Sequence, residues 1–395
     1  VYDVVLPPTS SMPVFAGFDA PRAYREHFGP QWTPGSATML NEMYAHFFLQ
    51  HRISISLVGP QLDPTNPDDA SEFGHWAIGF RDLIFGANHP FFGGRLVGAS
   101  MTALEYPWEW IPNRRESIEK MTLWWNAVED LGLADIAFDR TFDRRSSVSN
   151  WSDAYLRAMD VKASHPRART LFAANIHELR NAGISNFVDI FVPSLGWNDL
   201  EYVVDGQYED DLPYYADELK RSSARELWAR QDCTSHGCVA VDLPCEVILN
   251  GPIPPEGTDA RADYELCLLE LNSTGHVSLA IDATGIQARA QGLLHLLYGL
   301  HGLYYYEVAN YEGAYTQDPK RPFEASSMYV STHDGNGEGW LVYPGTPSHV
   351  AGDWHSVLAS TRLKALRDGL EDYEIARKCL AKNFYSNFSN ILDLF

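Results

Sequence analysis

The sequence predicts an α/β fold, a closed (β/α)8 barrel of the TIM type, and three observations carry that expectation. Eight short apolar or β-branched runs alternate with segments of helical periodicity along the 395 residues. Alternation of that kind pairs strands in parallel, with helices between them. No G-x-G-x-x-G and no Walker-type glycine loop follows any of these runs, so an open doubly wound sheet would lack its phosphate-binding turn. Hydrophobic residues make up 45% of the chain, enough to fill one large core.

The elements follow in order. MPVFAGFD (12–19) is the first apolar run, and TMLNEMYAHFFLQHR (38–52) has helical spacing that leads into the β-branched strand ISISLVG (53–59). RLVGASMTAL (95–104) reads as a strand, and RRESIEKMTLWWNAVEDLG (114–132) as an amphipathic helix with a glycine stop. A strand over 134–142 comes next, then a helix near 152–164, strand RTLFAAN (169–175), a short helix HELRNAG and strand NFVDIFVP (186–193). A helix near 214–225, strand RELWARQD (225–232), a longer helix over 282–300 and strand GLYYYEVAN (302–310) complete the count. WLVYPG (340–345) and a terminal helix over 356–384 close the barrel. Residues 233–280 break the alternation: β-like runs flank the proline-rich GPIPPEGTDARAD, which we read as an inserted β-ribbon. The barrel is thus expected to span 1–395, with 233–280 inserted and 356–384 as its closing helix.

Lys and Arg total 30 against 52 Asp and Glu, a formal charge of −22. That balance excludes nucleic acid and an anionic membrane surface as partners, since both need a basic face. No apolar run reaches the roughly 18 residues of a membrane span; GLLHLLYGLHGLYYYEVA is interrupted by His295 and His301. The chain starts without Met, and the expectation is a trimmed or mature piece of something longer. Cys233, Cys238, Cys245 and Cys267 fall close together in a spacing that matches no zinc pattern. We read Cys233–Cys238 and Cys245–Cys267 as disulfides, with no metal, and Cys379 as a buried helix thiol. Asn150 (NWS), Asn272 (NST) and Asn387 (NFS) head glycosylation sequons. Cysteines and sequons together point to a secreted, extracellular glycoprotein.

One stretch is out of character. IAFDRTFDRR (136–145) begins as a buried strand, yet holds Asp139, Arg140, Asp143, Arg144 and Arg145. Charges inside a fold are costly unless paired or functional, so this is a catalytic strand end, the remains of one, or a salt-bridged strand. Pairing of Asp143 with Arg144 or Arg145 is the bland reading. Glu307, at the end of GLYYYE, would face the barrel mouth as an acid or a rim carboxylate. Glu105 and Trp108, in ALEYPWEW, and Tyr306 offer sugar-binding or stacking groups, and Asp334 in STHDGNGEG is a polar turn or a sugar ligand.

The final third adds a resemblance. DGNGEGWLVYPG (334–345) followed by STRLKALRDGLEDYEIARKCL (360–380) closely resembles the C-terminal signature of domain-of-unknown-function 4091 proteins, which include the glycoside hydrolase family 123 β-N-acetylgalactosaminidases. GIQARAQGLLHLLYGLHGLYYYEVANY, ELWARQDC and FVDIFVP are similar to the family's preceding helix and strands, in order. The resemblance implies a barrel that a β-sandwich usually precedes, no cofactor, and a glycan or glycoprotein as partner, with other extracellular chains as further partners. It places catalysis on a strand ending Asp-Glu-Pro, where the Asp supports an attacking 2-acetamido group and the Glu is the acid/base. Asp143 matches that Asp, while Arg144 stands for the Glu and Arg145 for the Pro. A guanidinium cannot give up a proton near neutral pH. The resemblance therefore implies a non-catalytic glycan-binding or structural module; the alternative is an active hydrolase of N-acetylhexosaminides using Asp143 and a relocated acid, Glu307. RDGLEDYE itself reads as helix bracing.

Overall fold

The computed structural model describes residues 5–29, 34–59, 69–86, 98–107, 113–143, 150–193, 202–204, 207–209, 211–231, 285–309, 339–350 and 355–381, with short pieces at 252–255, 258, 260–261 and 279. The barrel wall is built from β1 (Val14–Ala16), β2 (Ser54–Ile55), β3 (Leu104–Glu105), β4 (Ala137–Asp143), β5 (Thr170–Ala173), β6 (Ile190–Phe191), β9 (Glu226–Gln231) and β10 (Gly302–Tyr305). Their order is β2-β1-β10-β9-β6-β5-β4-β3, and all seven pairings are parallel. This is the (β/α)8 barrel that the alternation predicts. The strands are shorter than the apolar runs that announced them, because only the paired centre of each run lies in the ladder.

Helices α1 (Ala20–Phe28), α2 (Pro34–Leu49), α3 (Asp69–Gly79), α4 (Arg81–Phe85), α5 (Arg114–Asp130), α6 (Trp151–Ser164), α7 (Ile176–Asn181), α8 (Leu212–Lys220), α9 (Gly285–Leu297), α10 (Pro347–Val350) and α11 (Thr361–Ala381) account for the rest, with a small hairpin of β7 (Tyr202–Val204) and β8 (Gln207–Glu209). Side-chain caps start several of them. Asp19 accepts from the Arg22 amide, Asn113 from Glu116, and Asn150 from Asp153. Asn175 forms a full capping box with Glu178.

Two expectations about the closing segment change. The helix expected from 356 begins at Thr361, because Ser356–Ala359 form β12, antiparallel to β11 (Val342–Gly345). Strand pairing with VYPG outweighs local helix propensity there. Cys379 is free and only half-buried rather than buried. Of the segment 233–280 read as a ribbon, only 252–255, 258, 260–261 and 279 are described, none of them in a strand; the four cysteines Cys233, Cys238, Cys245 and Cys267, and the sequons at Asn272 and Asn387, lie outside the described residues. Asn150 is described, with its amide nitrogen 2.6 Å from Asp153 Oδ2.

Side chains alternate along each strand. Phe15, Phe138, Leu171, Ala173, Ile190, Val192, Trp228 and Tyr304 form the cluster inside the barrel, while Val14, Leu303 and Tyr305 face the helices on one side and Phe172, Phe191, Leu227 and Ala229 on the other. Phe15 meets Phe138 edge-on at 5.0 Å and stacks on Tyr304 at 6.0 Å; Phe138 meets Trp228 at 5.7 Å. Gly302 is obligatory here, since a Cβ at that position would sit 2.7 Å from the Trp228 indole. Between β2 and β3 the ladder gives way to hydroxyls. The Thr102 amide donates to Ser54 Oγ at 2.9 Å, Ser54 Oγ and Thr102 Oγ1 lie 3.3 Å apart, and Ser56 Oγ donates to Glu105 at 2.6 Å.

The signature helix α11 packs on α9 through two glycines. A Cβ on Gly292 would lie 1.9 Å from the Gly369 carbonyl oxygen, and one on Gly369 would lie 2.1 Å from that of Arg289. Arg289 also forks onto Asp372 at 2.6 and 3.0 Å, and Glu374 accepts from Ser11 N and Oγ at 2.6 and 2.7 Å. RDGLEDYE is therefore a brace, as its charge pattern predicts.

Candidate functional site

The charged strand β4 resolves into an outer half and an inner half. Asp139 points out of the barrel, where Arg157 of α6 meets both of its oxygens at 3.2 and 2.5 Å and Thr141 donates to it at 2.9 Å. Arg140 points in. The register against β5 then slips between Arg140 and Phe142, a bulge that leaves Thr141 as the extra residue. The slip reverses parity, so Phe142 joins the outer core with Trp151 and Phe172. Asp143 consequently points inward as well, over the aromatic floor.

Inside, six side chains form one chain of contacts. Ser56 holds Glu105, and Glu105 takes Arg140 Nε at 2.7 Å. Arg140 Nη1 lies 3.5 Å from the Tyr304 hydroxyl, which donates to Asp143 Oδ2 at 2.6 Å. Arg230 Nη1 donates to Asp143 Oδ1 at 2.9 Å. Asp143 is 0% exposed. Burial, and then the Asp143 charge, push the Tyr304 hydroxyl well above its usual range, so it remains a donor. Burial opposes the charge on Arg140, but Glu105, Tyr304 and Asp143 overcome it and hold the guanidinium firmly protonated. Asp143 ends β4 and Arg230 is the last residue but one of β9, at the face where barrel enzymes carry their sites, and Arg140 is the inward residue of β4 before Asp143.

Glu307 stands beside this array, just past β10, where the Val308 amide bonds to Gly17 O and ties the segment to β1. One carboxylate oxygen accepts from the amides of Val308 and Ala309 at 3.1 and 3.2 Å. Burial pushes its pKa up to about 7, with the Ala309 amide pulling the other way and Asp19 adding to the rise. Tyr306 lies under the Arg230 guanidinium, 6.0 Å from ring centre to Cζ.

The structure thus brings Asp143, Glu307, Glu105 and Tyr306 to one end of the barrel. Glu105 is a buried carboxylate committed to Arg140 and Ser56. Trp108, Asp334, Arg144 and Arg145 lie outside the described residues. The described partners of Asp143 are Arg230 and Tyr304, neither of which the sequence reading named. The signal for Arg230 was there: in ELWARQ it follows Trp228 by two, so alternation puts it on the same inner face. No group of three or more potential metal-ligating side chains occurs among the described residues.

No protein-family model and no curated protein matches the chain. Among solved structures, a family 123 glycoside hydrolase from Clostridium perfringens, described for glycolipid glycan hydrolysis, superposes with a TM-score of 0.56 at 12% identity, over 99% of this chain and 64% of that one. The fold is a glycoside-hydrolase-like barrel. At that identity the likeness carries the fold alone, and the chain spans less than two thirds of the hydrolase's length. The GH53 catalytic domain of Ignisphaera aggregans, at TM-score 0.30 and 11% identity over 77% of this chain and 88% of that one, is too distant to add to this.

Proposed function

We propose that this chain is a family 123-like barrel that binds glycan at its C-terminal mouth without hydrolysing it, as a module of a larger extracellular protein. The observation that carries the reading is the state of Asp143. It stands where the resembled enzymes have the Asp that supports the attacking acetamido group, yet it is fully buried, with one oxygen on Arg230 and the other on Tyr304. A carboxylate so engaged is a structural counter-charge, and leaving its cations unpaired would be costly. The following residue, Arg144, cannot act as the acid. Loss of a general acid costs about 10²–10⁴ in rate.

The test is an assay on aryl β-N-acetylgalactosaminides beside a binding titration with N-acetylhexosamine-terminated oligosaccharides. The expected result is saturable binding with negligible turnover, and Arg144→Glu alone restores little because Arg145 still replaces the turn-forming Pro. Turnover by the unmodified chain that Asp143→Asn abolishes would overturn the reading.

One observation favours a second reading, an active hydrolase with a relocated acid. Glu307 has a carboxyl that titrates near 7 at the mouth, the range suited to proton donation. Turnover lost in Glu307→Gln would establish it.

A further inference from the structure

We propose that the glycan seated in this mouth carries an oxyanion, a carboxylate or a sulfate, and that the terminal edge of Arg140 receives it. The inference rests on the glycan-binding reading above and names the ligand's chemistry. A guanidinium has five N–H donors in a planar fork that matches an oxyanion bidentately. Arg140 uses Nε on Glu105 and has one long Nη1 contact, 3.5 Å, to Tyr304. Nη2 has no hydrogen bond among the described residues. The Arg140 side chain is 26% exposed, whereas Arg230 and Arg157 are 6% exposed and each is bonded to a buried aspartate. Of these three described guanidiniums, Arg140 is therefore the one that a ligand can reach.

Its orientation is fixed in advance. Ser56 holds Glu105, Glu105 holds Nε, and the Tyr304 ring rests on Phe15, so little rotamer entropy remains to be lost on binding. The charges around it balance: Glu105 and Asp143 answer Arg140 and Arg230, while Glu307 is largely protonated below pH 7. The −22 of the whole chain is screened beyond about 8 Å at physiological ionic strength, so the nearby guanidinium decides the local preference. Tyr306, beside Arg230, offers a ring face to the sugar next to the anion.

The experiment is calorimetric titration of the chain with matched oligosaccharides: one neutral and N-acetylhexosamine-terminated, one with a glucuronate added, one sulfated, plus sodium glucuronate alone. Arg140→Lys keeps charge without the fork. The double variant Glu105→Gln/Arg140→Gln removes the fork without stranding a buried carboxylate, and a thermal melt verifies that it folds. The expected result is at least about tenfold tighter binding of an acidic sugar than of its neutral match, lost in the double variant and weakened in Arg140→Lys. Which acidic arm binds tells carboxylate from sulfate. Equal binding of neutral and acidic sugars overturns the inference and leaves the glycan reading intact. Arg140-dependent binding of glucuronate alone, with no oligosaccharide bound, keeps the anion seat and removes the glycan reading. No binding of any probe overturns both.

Discussion

At the scale of single residues, titration of Glu307 gives a signed prediction. Its folded pKa, about 7, lies above the ordinary 4.5. The protonated form is favoured in the fold, so this contribution to stability is complete below pH 4.5 and is lost as pH rises through 7. By order of magnitude the loss is about 3 kcal/mol. Glu26 on α1, also raised to about 7 by burial, titrates in the same window, so the measurement is a difference: Glu307→Gln should flatten part of the decline in denaturation free energy between pH 4.5 and 7. A slope unchanged by the substitution would refute the assignment. The acid side has the opposite sign. Burial, assisted at His27 by His355, lowers His27 to about 3 and His295 to about 4, so their contribution is present above pH 6.5 and lost as pH falls. Beside Asp143, Tyr304→Phe deletes the donor to Oδ2 and leaves a buried carboxylate short of one partner. It should cost about 1–3 kcal/mol in chemical denaturation, with the fold retained through Arg230.

Among the elements, the contact of α9 with α11 makes the sharpest claim. Gly292→Ala would drive a methyl into the Gly369 carbonyl at 1.9 Å, and backbone on a packed helix cannot yield as a flexible side chain would. The expected cost is roughly 1–3 kcal/mol or more, read as a lower denaturation midpoint at an unchanged slope; an unaltered midpoint would contradict the packing. The sequence shows why legibility stops where it does. RDGLEDYE was readable as a brace because its charges repeat at helical spacing, but nothing local tells that Gly369 must meet Gly292. Likewise IAFDRTFDRR announces a strand with misplaced charges. Strict alternation from Phe138 would have turned Asp143 outward, and only the bulge at Thr141, fixed by pairing with β5, turns it in. Residues 356–359, SVLA, suit either helix or strand, and the choice belongs to β11.

For the whole molecule, eight strands and the ordering of their helices were legible, since periodicity is a property of the chain itself. The site was half legible. Asp143, Glu105, Tyr306 and Glu307 could be placed near one end, but Arg230 and Tyr304 as partners of Asp143 come from strands 87 and 161 positions away, a distance no local pattern spans. The hydroxyls between β2 and β3 have a consequence for motion. Seven edges of the wall are laced by backbone, and the eighth is buttoned by Ser54, Thr102, Ser56 and Glu105. That edge is where the cylinder should breathe first: the amides of Val14 and Thr102, which donate to Thr102 Oγ1 and Ser54 Oγ, should exchange with deuterium sooner than those of Asp139 and Val192, which donate to backbone carbonyls of neighbouring strands. Glu105 belongs both to this row of buttons and to Arg140. A ligand gripping Arg140 would therefore also slow the opening of the wall beside it, and occupancy of the mouth would be readable as delayed exchange at Thr102.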